Sequence, residues 1–244
     1  MELTRIDCDI SYRELSDSST FSVFNPGARP GTLVAGFSSA PREAVSSKVA
    51  SRLAIQRYVE AITDFFWEAA PASLQEDERD QNLEALERAF REANKSVYEF
   101  GHQLVAGGRM VASLFGIVIS NKVVAAGKSD SGAAYMFRDG KLAPFFVEEA
   151  QSSLTGSLNF VGASSMLNVE LSSIKLQESD IIVALSETPD AETESRLVDI
   201  CLDGVLQSED AAEKISRRLY SQSYFPVVMV VTVGPGVIYL KEAL

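Results

Sequence analysis

Apolar and polar residues alternate with a period of two at the start of the chain. Ile6, Cys8 and Ile10 share one face of a short strand, and Phe21, Val23 and Leu33-Val34-Ala35 continue the alternation. Asn25-Pro26-Gly27 and Arg29-Pro30-Gly31 are turn sequences, since proline fixes φ and glycine accepts a positive one. The period then becomes helical. Ser39-Ala40-Pro41 supplies a cap and a proline suited to a first turn. Ile55, Val59, Ile62 and Phe66 form one stripe, with Ala54, Tyr58, Ala61 and Phe65 beside it. A helix apolar over so wide an arc packs against more than one neighbour. Beyond the acidic stretch Glu76–Asp80, the residues Leu83, Leu86, Phe90, Ala93 and Val97 mark a second helix that Gly107-Gly108 ends. The spacing predicts helices over 42–68 and 80–106.

From Arg109 the period returns to two. Four successive strands are predicted over 111–120, 122–127, 133–138 and 141–146, with Asn121 and Asp139-Gly140 at two reversals. Residues 147–165 are polar and rich in serine and glycine, a surface loop by composition. Strands over 168–176 and 180–185, helices over 193–205 and 210–220, and a closing pair of strands around Gly234-Pro235-Gly236 complete the pattern. Helices arrive in pairs and strands in antiparallel runs, unlike the alternation of a Rossmann fold. No linker or internal repeat divides residues 1–244. The expectation is one α+β domain, a four-layer α-β-β-α sandwich of two antiparallel sheets with a helix pair on each outer face.

Composition narrows the function classes. Hydrophobic content of 46% and charged content of 23% suit a globular chain with a sizeable core. The formal charge of -12 disfavours nucleic acid and anionic membrane as partners. Cys8 and Cys201 stand far apart and outside any zinc spacing, which reads as two buried free thiols in a reducing compartment. Together with an N-terminal stretch, Met1–Asp17, that lacks an apolar core, this predicts a cytoplasmic protein. With His102 the sole histidine, a Ser-His-Asp or Cys-His mechanism has little to stand on.

Several segments carry a family likeness. Leu33-Val34-Ala35-Gly36-Phe37 followed by Val49–Ala54 is similar to a V-A-D-G stretch and the helix after it. Ser129-Asp130-Ser131-Gly132-Ala133-Ala134-Tyr135, followed by Arg138-Asp139-Gly140, resembles G-D-S-R-A-Y and an R-D-G turn. Val161-Gly162-Ala163 matches an L-G segment, Leu176–Glu187 the strand entering an S-D-G motif, and Pro226–Val233 a closing strand after D-N. In this order and spacing, the segments resemble the metal-dependent protein phosphatase 2C family over nearly the whole chain. The resemblance implies the sandwich described above, with a two-cation cleft at one edge.

The positions the family uses for metal are changed. The early N-E-D aspartate falls near Ser18-Ser19, with Asp17 the nearest carboxylate. The V-A-D-G pair reads Gly36-Phe37. Counting back from Tyr135 puts Ser131 at the next aspartate, while one inserted residue puts Asp130 there. S-D-G becomes Ser186-Glu187-Thr188, and D-N falls in Ser223–Pro226 without a carboxylate. Two divalent cations need several hard oxygen ligands at fixed geometry. Asp17, Asp130, Glu187 and Asp190 are the residual carboxylates, each with an ordinary alternative as turn, cap or solvated residue. The expectation is therefore no catalytic residue, no metal and no cofactor: a pseudophosphatase that binds a protein, its acidic surface favouring a basic partner, in a signalling or regulatory role. Gly36, Phe37, Ser131 and Glu187 mark the degenerate cleft, with Phe37 either plugging it or exposed. The rival readings are an active Mn²⁺- or Mg²⁺-dependent Ser/Thr phosphatase with substitute ligands, and a small-ligand domain using the remodelled cleft.

Overall fold

A computed structural model describes residues 4–12, 19–28, 31–41, 44–69, 78–103, 110–120, 123–146, 159–220, 226–235 and 239–240. In chain order the elements are β1 (Thr4–Ser11), β2 (Ser19–Phe24), β3 (Thr32–Ser39), α1 (Val45–Ala69), α2 (Glu78–Gln103), β4 (Ser113–Ser120), β5 (Val123–Ser129), β6 (Ala133–Arg138), β7 (Lys141–Pro144), β8 (Glu170–Lys175), β9 (Ile181–Leu185), α3 (Ala191–Leu202), α4 (Ala211–Leu219), β10 (Val228–Pro235) and β11 (Tyr239–Leu240). One sheet has the order β2-β3-β4-β5-β8 and the other β11-β1-β10-β9-β6-β7.

Three apolar cores separate four layers, as the sequence predicts. One lies between α1, α2 and the five-stranded sheet, around Tyr58, Phe90 and Val118. A second lies between the two sheets, around Phe37, Phe115 and Ile182. The third lies between the other sheet and α3 and α4, around Leu197, Ile215 and Val230. Strands β4 and β9 are buried on both faces, which explains why they read as continuous apolar runs rather than as alternating ones.

Two features of the topology escape the periodicity. The four strands after Arg109 do not form one meander. Strands β4 and β5 pair in one sheet and β6 and β7 in the other. The chain crosses between sheets at Asp130 (φ +70°) and Gly132 (φ +124°), and crosses again after β8, at Ser179 (φ +71°). The closing strands also do not pair with each other. Both edges of β10 are taken, by β1 and β9, so the two-residue β11 adds in parallel to β1 instead.

Tertiary polar contacts fix these crossings. Asp180 is buried at the second one and accepts from Arg138 Nε at 2.7 Å, Arg138 Nη2 at 2.6 Å and the Gln177 amide at 2.6 Å. The same guanidinium donates to the Lys175 carbonyl at the end of β8. Arg138 of the hairpin tip thus ties the two sheets together. Asp9 on β1 accepts the Ala212 amide at 2.8 Å and so caps α4 from a distant strand. Cys8 and Cys201 are free and buried. Burial pushes both thiols up to about 12, the neighbouring Asp9 adding to the effect at Cys8.

Glycine shapes the seat of the first helix pair. Gly36, Gly116 and Gly127 lie side by side across β3, β4 and β5. A Cβ at Gly36 or Gly116 would stand 2.6 Å or 2.5 Å from the Tyr58 side chain, and one at Gly127 3.2 Å from Phe90. Tyr58 and Phe90 fill the resulting trench edge to face, with ring centroids 5.9 Å apart, and the Tyr58 hydroxyl donates to the Ala35 carbonyl at 3.0 Å.

Two stability measurements check this account. Gly116→Ala forces Tyr58 out of its seat and is expected to cost at least about 1–3 kcal/mol, the usual range for overpacking, in urea denaturation. Arg138→Met leaves Asp180 buried without its cation and is expected to cost about 3–5 kcal/mol in the same assay. A variant pair indistinguishable from the parent would show that neither contact orders the sheets.

Candidate functional site

Three of the segments that resemble phosphatase motifs, around Ser131, Thr188 and Val227, meet at one mouth between the two sheets. The loop after β5 and the loop after β9 are clasped together. The Thr188 amide donates to Ser131 Oγ at 3.2 Å, and Thr188 Oγ1 bonds both the amide and the carbonyl of Gly132, each at 3.2 Å. Ser186 joins the start of β10 to the same place, its amide donating to the Val227 carbonyl and its hydroxyl accepting the Val227 amide. Gly132 packs directly on Phe115; a Cβ there would stand 2.5 Å from the Phe115 side chain.

The floor of the mouth is aromatic. Strand register aligns Phe21, Phe37, Phe115, Lys128 and Glu170 in one row across all five strands of the sheet. Ring centroids are 4.9 Å apart for Tyr12 and Phe21, 6.4 Å for Phe21 and Phe37 and 5.8 Å for Phe37 and Phe115. The Lys128 ammonium continues the row, 5.0 Å over the Phe146 ring and 3.4 Å from Glu170. Phe37 and Phe115 are 2% and 1% exposed, so Phe37 points inward and fills the space between the sheets.

Each residue singled out from the sequence has a definite place, apart from Asp17, which lies outside the described residues, as do 223–225 of the segment expected to carry D-N. Gly36 faces away from the mouth toward Tyr58, so its missing side chain serves the helix seat and does not line the cleft. Ser131 is spent in the clasp. Asp130 sits at the sheet crossing with a positive φ; partial desolvation raises its carboxyl pKa against the pull of Lys128. Glu187 is half-buried, and desolvation raises its carboxyl pKa too. Asp190 caps α3, accepting the Thr193 amide at 2.8 Å, and that bond lowers its pKa. Burial raises the Tyr220 hydroxyl pKa, with Glu187 and Asp190 adding to it. Phe21, Phe115, Lys128 and Tyr220 are members that the sequence reading missed. Strand alternation could have put Phe115 and Lys128 on the inter-sheet face, but only the register puts them beside Phe37.

This arrangement does not suit a pair of hard cations. Serine hydroxyls at the end of β3 are occupied: Ser38 donates to the Ser113 carbonyl at 2.7 Å, and Ser39 and Ser113 share a bond of 2.6 Å. The rings of Phe37 and Phe115 packed between the sheets offer no oxygen ligand. Among the described residues, no three of His, Cys, Asp and Glu gather closely enough to hold a metal ion.

The sequence matches no family model and no curated protein. Solved structures do match. A Streptococcus agalactiae serine/threonine phosphatase is 16% identical, with a TM-score of 0.61 over 96% of this chain and 100% of that one. The catalytic domain of the serine/threonine protein phosphatase PstP, in complex with two manganese ions, is 14% identical with a TM-score of 0.61 over the same shares. The phosphatase domain of the cell fate determinant SpoIIE from Bacillus subtilis is 11% identical, with a TM-score of 0.54 over 100% and 99% of the two chains. The chain therefore has the fold of the PP2C-type serine/threonine phosphatase domains, in agreement with the resemblance of its motifs.

Phe37→Ala removes a ring from the centre of the row and is expected to destabilise by about 3–5 kcal/mol, read by thermal or urea melts. Glu187 gives a prediction of opposite sign. A carboxyl whose folded pKa lies above its unfolded one favours the folded state below the unfolded pKa and loses that contribution as pH rises through the folded value. Glu187→Gln is therefore expected to raise stability at pH 7 and to leave the pH 4 stability much less changed. Denaturation at the two pH values checks it.

Proposed function

We propose that this chain is a pseudophosphatase: a phosphatase fold that no longer hydrolyses phosphate esters and acts in the cytoplasm by binding a protein in a regulatory pathway. The observation that carries the reading is the row Phe21–Phe37–Phe115–Lys128 across the inter-sheet mouth. Catalysis in this family rests on cations that polarise the phosphoryl group and generate hydroxide, and a packed aromatic row leaves no hydrated cradle for them. The clasp of Thr188 on Ser131 and Gly132 further commits the two motif loops to each other.

Protein binding is supported by the surface around α3. Asp190, Glu192, Glu194, Asp199 and Asp203 crowd its two ends, with Arg196 the one basic residue of that stretch. Such a surface steers a basic partner and suppresses acidic ones. The buried, reduced state of both cysteines accords with a reducing compartment.

The purified chain is expected to release no phosphate above background from phosphopeptides or aryl phosphates in millimolar Mn²⁺ or Mg²⁺. Its melting temperature is expected to be the same in EDTA and in Mn²⁺, because a cation bound only by the folded state would raise it. Turnover abolished both by EDTA and by Glu187→Ala would establish the rival reading of an active enzyme with substitute ligands.

A further inference from the structure

A cavity of about 210 Å³ opens beside the mouth, where β6 and β7 end against the loop leading into α3. Its walls are polar and apolar in nearly equal measure: Tyr135, Pro144, Phe146 and Pro189 supply apolar surface, and two opposite charges line it, Lys128 from β5 and Glu194 from the first turns of α3. Thr188 also lines it, but its hydroxyl and amide are already committed to the clasp.

Lys128 is an unusual lining residue. Its side chain is only 13% exposed, its ammonium rests over the Phe146 ring, and its contact with Glu170 is 3.4 Å. That is well beyond the roughly 2.7–2.9 Å of a charge-assisted hydrogen bond. An ammonium has three donors, so Lys128, though paired with Glu170 and acting on Asp130, has donors to share with an acceptor in the cavity. Glu194 sets the second requirement. A ligand carrying only negative charge would bring like charges together at Glu194, and one carrying only positive charge would do so at Lys128. A ligand with one charge of each sign meets both. The volume is below the roughly 300–1,000 Å³ of pockets for drug-sized molecules, which sets the occupant at the size of a small metabolite.

We propose that this cavity is a binding site for a small zwitterion of the α-amino acid class, its carboxylate held by Lys128, its ammonium by Glu194 and an apolar side chain by the proline and aromatic walls. The inference stands apart from the pseudophosphatase reading, since it involves no phosphoryl chemistry and holds whether or not the mouth is active. Bound there, the ligand would bridge β5 and α3 beside the acidic face, so that a metabolite level could bias the affinity of that face for a partner.

Isothermal titration of the full chain with L-leucine and L-phenylalanine tests it, with 4-methylpentanoate and 3-methylbutylamine as analogues that each keep one charge. Saturable binding of at least one amino acid is expected, with each analogue of L-leucine at least about tenfold weaker than L-leucine, as loss of a charged hydrogen bond implies. Glu194→Gln should weaken the amino acid and close its gap to 4-methylpentanoate, while Lys128→Met should close the gap to the amine. Glu194 lies near the surface of α3, so its variant keeps the test valid even if Lys128→Met unfolds. No saturation by either amino acid in the millimolar range, or 4-methylpentanoate binding as tightly as L-leucine with no response to Glu194→Gln, would overturn the proposal.

Discussion

Everything about the mouth of this molecule follows from one transverse line across its five-stranded sheet. At that line β3, β4 and β5 present Gly36, Gly116 and Gly127 to the helices and Phe37, Phe115 and Lys128 to the other sheet. Successive residues of a strand face opposite ways, so the two rows are one constraint seen from two sides. The glycines let Tyr58 and Phe90 sink onto the backbone, which brings α1 and α2 close and buries both rings completely. Such close packing is intolerant of even one added methyl group. The residues next to those glycines are then committed to the inter-sheet face, and here they are two phenylalanines and a lysine.

That commitment changes what the fold can do. A cleft between two sheets becomes a hydrated ion site only if its walls supply oxygen ligands and room for water. In this chain the walls supply stacked rings, and the loops above them are joined by the Thr188 clasp. The remaining carboxylates are separated in role rather than gathered: Asp190 ends a helix, Asp130 turns the chain between sheets, and Glu187 sits half-buried near Tyr220. This end of the molecule also presents the carboxylates along α3 and a cavity lined by Lys128 and Glu194.

The same logic explains the polar residues that look functional but hold the frame. Arg138, half-exposed at a hairpin tip, and the buried Asp180, just before β9, form an ion pair that locks one sheet to the end of β8 in the other. Asp9 caps a helix 203 residues away in sequence. None of these partners is suggested by spacing along the chain, because each joins elements far apart in sequence that only the sheet topology brings together.

The amino-acid pattern alone determined the elements, their pairing into helix couples and antiparallel runs, and the four layers, because apolar period reports which face of an element is buried. It also located the motif segments and showed which of them lack carboxylates. It did not determine which strands share a sheet, since β4 to β7 read as one series whichever way the chain crosses. Nor did it show which way Gly36 faces: with no side chain to report it, that glycine read as a cleft position, and the structure turns it toward Tyr58. The row from Phe21 to Glu170 joins residues from five strands spread over 150 positions of sequence. Only the tertiary register decides such a row, because cross-strand neighbours are set by hydrogen-bond pairing between strands and not by distance along the chain.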